Sequence, residues 1–98
     1  MNLLTILIPT YNEDEYILET LKSVTAQTCK DFICIISDNN SSDRTGKICD
    51  DFVKGDPRFQ YIKQDKNIGS SRNTEFLAKQ VKTEYSMVFA GHDVLEPT

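Results

Sequence analysis

The chain has 98 residues, 39% of them apolar and 27% charged, and a net charge of −4. That is enough for one domain with a modest core and too little for two that each bury their own. The acidic balance excludes a broad electrostatic grip on nucleic acid, which needs clustered Lys and Arg, and no internal repeat or Gly-, Ser- or Pro-rich tract marks an array or a linker.

The opening "MNLLTILIPTY" is apolar, but it has no basic n-region and no small-residue cleavage site, and it is too short to span a bilayer. Leu3 to Ile8 therefore reads as a strand. Asn12 stands where an N-cap belongs, with Glu15 three residues later, and Ile17, Leu21 and Val24 follow at helical spacing. A second strand is expected at Phe32 to Ile36. After it, Ser42 or Asp43 can cap a helix carrying Ile48, Phe52 and Val53. A third strand, Phe59 to Ile62, leads to a helix opened by Gly69 and two serines and carrying Phe76, Leu77 and Val81. Tyr85 to Ala90 is the fourth strand. Cys29, Cys34 and Cys49 are odd in number and have neither CxxC nor Cys/His spacing, which argues against a disulfide framework and a zinc site and fits a reducing cytoplasm. Cys34, within "FICIIS", reads as a small core residue.

Strand, helix, strand repeated three times gives right-handed crossovers, and so an α/β fold: a mainly parallel, doubly wound sheet with helices on both faces. In such sheets the ligand site lies beyond the carboxyl ends of the strands, where strand order reverses. The residues expected to converge there are Pro9 to Asn12, Ser37 to Asn39, Gln64 to Asn67, and Gly91, His92 and Asp93.

Each of these has a functional and a structural reading. The Tyr11 ring can stack on a planar base, or pack over the first helix. The Asp38 carboxylate can accept an imide N–H such as that of uracil, or close an Asx-turn in "SDNNSSD". Arg72, in "KNIGSSRN", joins the free N–H groups of a helix start in facing a diphosphate or base oxygen, or is a solvated charge. His92 and Asp93 can hold a divalent cation, Mn2+ or Mg2+, or simply turn the chain at a strand end. Glu13, Asp43 and Glu96 read as first-turn, capping and surface acids with no catalytic role.

Four segments, "LLTILIPTYNEDEYILETLKSVTAQT", "FICIISDNNSSDRT", "QDKNIGSSRNTEF" and "YSMVFAGHDVLEP", together resemble the amino-terminal half of a family 2 glycosyltransferase of the Rossmann-like GT-A fold, over essentially the whole chain. The resemblance implies that residues 1–98 are the nucleotide-sugar-binding part, with an acceptor-binding half and the catalytic base beyond them, so no catalytic residue is assigned here. It implies a nucleotide-diphosphate sugar, a UDP-sugar by the Asp38 argument, with Pro9 among the nucleotide-binding residues, Thr10 and Tyr11 bordering the nucleobase, Asp38 at its imide edge and Arg72 at the base or phosphates. The family's acid-rich metal motif falls on Ala90, Gly91, His92 and Asp93, where Asp93 alone keeps a carboxylate and His92 stands in as a ligand. The implied setting is transfer to a saccharide, lipid or protein acceptor, in the cytoplasm or at the cytoplasmic face of a membrane, with the fragment itself inactive and self-associating over uncovered apolar surface. One rival, a sugar-phosphate nucleotidyltransferase, needs a glycine-rich basic loop that "PTYNEDEY" lacks. The other is a non-catalytic nucleotide-binding or interaction module.

Overall fold

The apolar runs form four strands, β1 (Leu4–Thr10), β2 (Phe32–Asp38), β3 (Phe59–Lys63) and β4 (Tyr85–Val88), in a computed structural model that describes residues 3–26 and 31–89. One helix fills each gap: α1 (Ile17–Ala26), α2 (Thr45–Val53) and α3 (Ser70–Ala78). All pairings are parallel and the strand order is β3-β2-β1-β4, so the order reverses at β1 and the sheet is wound both ways from it. The expected doubly wound α/β architecture is the one observed.

Side-chain alternation sorts the core into two layers. Ile6, Ile8, Cys34 and Ile36 point to one face, where Ile17, Leu21 and Val24 of α1 and Cys49 of α2 cover them together with Phe32 and Phe59. Each of these large aliphatic side chains contributes about 1.5–3 kcal/mol by leaving water. Leu7 and Ile35 point to the other face, where Leu77 of α3 covers them with Ile62, Phe76 and Val81 around it. Because β1 and β2 are covered on both faces, they read as unbroken apolar runs rather than alternating ones. β4 is an edge strand, with Tyr85 and Val88 exposed.

Burial pushes the Cys34 thiol well above the ordinary range, with nearby Cys49 and Asp56 adding to it. Burial and then Asp38 push Cys49 up to about 12. Both are unreactive core residues, as expected of Cys34, and Cys29 lies outside the described residues.

Two local expectations are corrected. β1 and β2 run two residues further than their apolar stretches, because Pro9 pairs with Ser37 and Thr10 with Asp38 in the ladder. Asn12 is not the cap of α1. It sits at φ 50°, the left-handed region that Asn tolerates, and the helical turn begins after it, with the Tyr16 and Ile17 N–H groups donating to the Glu13 carbonyl at 3.0 and 2.8 Å.

Candidate functional site

A cleft of about 210 Å3 opens past the ends of β1 and β2. Pro9, Thr10 and Tyr11 from the end of β1 form one wall, and Ser70, Asn73 and Thr74 from the first turns of α3 form another. Asn39, directly after β2, and Glu13 complete the lining. The volume is below the roughly 300–1,000 Å3 that encloses a drug-sized ligand, so it suits one ring or head group of a larger molecule rather than the whole.

The walls are braced by two interlocked loops. From the β1–α1 loop, the Asn12 N–H donates to Ser41 Oγ at 2.8 Å, the Glu13 N–H to Thr45 Oγ1 at 2.8 Å, and the Asp14 N–H to Asp43 Oδ2 at 3.2 Å. In return, Asn12 Oδ1 accepts the Ser42 N–H at 2.8 Å and Asp14 Oδ2 the Arg44 N–H at 3.3 Å. The capping role expected of Asp43 is met by Oδ1, which accepts the Thr45 N–H at 2.9 Å as α2 begins. Burial pushes the Asp43 carboxyl up, but the hydrogen bonds from Thr45 and Asp14 outweigh it and leave it below the usual carboxylate range.

Asp38 is placed differently from the expectation that it reads a base. It is fully buried: Oδ1 accepts the Ser41 N–H at 2.9 Å and the Ser41 hydroxyl at 2.6 Å, while Oδ2 accepts the Tyr61 hydroxyl at 2.7 Å. The carboxylate follows the alternation of Ile36 and so faces α2 rather than α3 and the cleft. A Cβ on Gly46 of α2 would stand 2.8 Å from the Tyr61 hydroxyl and 3.3 Å from Asp38 Oδ2, so a larger residue at this point of the helix would have to push the pair beneath it aside. Burial first, and the hydrogen bond to Asp38 second, hold the Tyr61 phenol above its ordinary range and keep it a donor. The Asx-turn reading of Asp38 is the one the geometry supports, and the argument for uracil based on its carboxylate lapses.

Of the other expected residues, Pro9, Thr10 and Tyr11 do line the cleft, Thr10 buried and Tyr11 45% exposed at the mouth. Arg72 is exposed on the first turn of α3, outside the cleft lining. Beside it, the N–H groups of Ser70, Ser71 and Arg72 precede the first helical bond, from the Asn73 N–H to the Gly69 carbonyl at 3.0 Å, and Gly69 supplies no side-chain cap. Gly69 itself lies at φ 88° and ψ 151°, a conformation open essentially to glycine alone, which turns the chain into α3. His92 and Asp93 lie outside the described residues, and among the described residues no group of three His, Cys, Asp or Glu converges to hold a metal ion. No helix among the described residues is long and apolar enough to cross a membrane.

Two lining residues, Asn73 and Thr74, have no counterpart among the sequence candidates. Asn73 is buried and grips the end of β2: its Oδ1 accepts the Ser37 hydroxyl at 2.5 Å and its Nδ2 donates to the Ser37 carbonyl at 2.9 Å, seating α3 against the sheet. Thr74 lies beside it. Asn39 stood in the expected group of strand-end residues but was given no role; its backbone N–H donates to the Thr10 carbonyl at 2.9 Å and its Oδ1 accepts the Ile68 N–H at 2.8 Å.

Residues 5–98 match the family described as "Glycosyl transferase family 2". The chain is 34% identical over 96 residues to the teichoic acid poly(glycerol phosphate) polymerase of Staphylococcus epidermidis, covering 97% of this chain and 13% of that protein. It is 27% identical over 94 residues to glycosyltransferase GlyG of Streptococcus pneumoniae, covering 96% of this chain and 31% of that one. It thus spans less than a third of either relative. Among solved structures, S. aureus TarS 1–349 in complex with UDP-GlcNAc superposes with a TM-score of 0.84 at 24% identity, over 96% of this chain and 27% of that chain. The mannosyltransferase PcManGT from Pyrobaculum calidifontis, in complex with GDP-Man and Mn2+, gives 0.84 at 18% identity, over 93% and 28%. Those likenesses establish the GT-A fold, and the match over nearly every residue places this chain in glycosyl transferase family 2.

Proposed function

We propose that this chain holds the nucleotide of a nucleotide-diphosphate sugar, and that the protein it serves transfers the sugar to an acceptor hydroxyl. The observation that carries this reading is the cleft at the strand ends, with an exposed aromatic ring on one side and an uncapped helix start on the other. Tyr11 offers a face on which the base stacks. The free N–H groups at the start of α3, together with the Arg72 guanidinium, offer positive charge to the diphosphate oxygens. In the transfer, the acceptor oxygen bonds to the anomeric carbon as the bond from that carbon to the diphosphate breaks. The nucleoside diphosphate leaves with the electron pair, and the hydroxyl proton passes to a base. A divalent cation, Mn2+ or Mg2+, held by His92 and Asp93 belongs to the same proposal; when bound it would neutralise charge on the leaving diphosphate.

The test has two arms. Calorimetric titration of the chain with nucleoside diphosphates, with and without Mn2+, should show binding that Mn2+ tightens and that Asp93→Asn loosens only in the presence of metal. For the protein that contains this chain, release of nucleoside diphosphate from a sugar donor should depend on an added acceptor. Absence of nucleotide binding at millimolar concentration would remove the reading altogether. Binding without any transfer would leave a nucleotide-binding module.

A further inference from the structure

We propose that Asn73 is a positioning residue for the ligand: its bonds to Ser37 fix where α3 stands, and so the width of the cleft, without Asn73 itself selecting what binds. This rests on the nucleotide-binding reading given above. Two residues of α3 are buried, Asn73 and Leu77, one turn apart on the face that meets the sheet. Leu77 holds the second half of the helix by apolar contact with Leu7 and Ile35. Ser70 to Thr74 are all polar and offer no such contact. The helix also begins at Gly69 without a side-chain cap, and nine residues are too few for a helix to persist by itself. Asn73 ties this half down. Ser70 stands one turn before it and Thr74 directly after it, and those two form the wall that faces Pro9, Thr10 and Tyr11.

The tie is directional. Ser37, the last residue but one of β2, is fully buried. Gln64, directly after β3, donates from Nε2 to Ser37 Oγ at 3.1 Å, which leaves the Ser37 hydroxyl hydrogen for Asn73 Oδ1. Asn73 Nδ2 returns a bond to the Ser37 carbonyl at 2.9 Å. With two bonds between one amide and one residue, α3 can neither turn about its axis nor slide along the sheet without breaking one of them. An apolar side chain at position 73 would fill the layer beside Leu77 and need no partner, but apolar contact is non-directional and would accept a range of helix positions. A fully satisfied buried polar pair holds one position. Asn73 is 1% exposed and both ends of its amide are engaged by Ser37, so it serves the cleft through α3 rather than through contact with the ligand.

The experiment is calorimetric titration with UDP and with CDP of the native chain, Asn73→Leu, Ser37→Ala and the double variant, with urea midpoints to show that each is folded. Asn73→Leu keeps a buried side chain of similar size and should weaken both nucleotides by one common factor, about tenfold. Ser37 does not line the cleft, so Ser37→Ala can act only through the residues bonded to it, and should weaken both by about threefold. The double variant should bind as Asn73→Leu does, because the two changes act along one path. Unchanged affinities in both single variants would make the pair purely structural and overturn the inference. A loss in Asn73→Leu with Ser37→Ala as tight as native, or a loss confined to one nucleotide, would show that Asn73 touches the ligand and would overturn it as well. Should Asn73→Leu fail to fold, Ser37→Ala decides alone: a common loss supports the inference and native affinity overturns it. Native protein that binds neither nucleotide would remove the site and this inference with it.

Discussion

Replacing Asp38 by alanine separates a residue that holds the site together from one that touches the ligand. The carboxylate receives three hydrogen bonds, two from Ser41 and one from Tyr61. Hydrogen bonds to a charged group contribute about 1.5–3 kcal/mol each in isolation. The three are not additive, because two come from one residue and the half-buried Tyr61 can recover water. Ser41 cannot, being buried, and its N–H would be left without a partner. The expected loss is about 3–5 kcal/mol, the range for removing one partner from a buried charged contact. A chain of this size has about 5–15 kcal/mol of stability, so Asp38→Ala should be marginally folded. Asp38→Asn keeps an oxygen for Ser41, but its bonds are to a neutral group and its NH2 faces the Tyr61 hydroxyl, so it should cost about 1–2 kcal/mol. Urea denaturation of the three proteins, followed by circular dichroism, measures these values. A loss below about 1 kcal/mol for Asp38→Ala, with its choice between CDP and UDP altered, would refute the reasoning and return Asp38 to the ligand.

Three further expectations follow from the same geometry. Gly46→Ala should destabilise the chain by about 1–3 kcal/mol despite the better helix propensity of alanine, because the new methyl meets the Tyr61 hydroxyl pinned by Asp38; pairing it with Tyr61→Phe should recover part of the loss in urea denaturation. The Asp56 carboxyl is held below its usual range chiefly by the hydrogen bond from Arg58, which also lies 4.4 Å over the Phe32 ring, and Asp43 is lowered as well. With folded values depressed, the contribution of these carboxylates is complete above the unfolded aspartate value near ~3.9 and is lost as pH falls below it; Asp56→Asn should flatten the fall in unfolding free energy between about pH 5 and pH 2. Tyr11→Ala should weaken CDP and UDP by one common factor, on the order of 5- to 100-fold in calorimetry, because a ring face does not distinguish the bases, and a selective loss of one nucleotide would show that Tyr11 does more than stack.

The fold was legible because two strands are buried on both faces. Runs such as "LLTILI" and "FICIIS" have no helical period and too few residues for a helix, and each is followed by a stretch with one, so the parallel alternation follows from length and spacing. The ends of elements were less legible. Thr10 and Asp38 belong to the ladder although both are polar, because strand pairing is made by the backbone and continues as long as a parallel neighbour is there to bond. Asn12 looked like a cap because it precedes acids, yet its carbonyl oxygen serves the other loop, thirty residues on. Local sequence does not carry a contact of that separation.

Much of the "PTYNED" and "SDNNSSDRT" pattern braces loop against loop: Asn12, Asp14, Ser41, Asp43 and Thr45 all bond across that seam rather than into the cleft. The misplacement of Asp38 is a matter of parity. Its side chain falls in step with Cys34 and Ile36, and Ser37 falls in step with Ile35, so Asp38 turns toward α2 and Tyr61 while Ser37 turns toward α3 and Asn73. The sequence contains that alternation but not which helix covers which face, and chemistry alone favoured the carboxylate over the amide next to it. Once α3 is known to cover the Leu7 and Ile35 face, the residue that lines the cleft at the end of β2 is Asn39, a neutral amide rather than a carboxylate. The cleft therefore carries less negative charge beside the start of α3 than a carboxylate at that position would give it, and the positive end of the helix dipole there is correspondingly less screened.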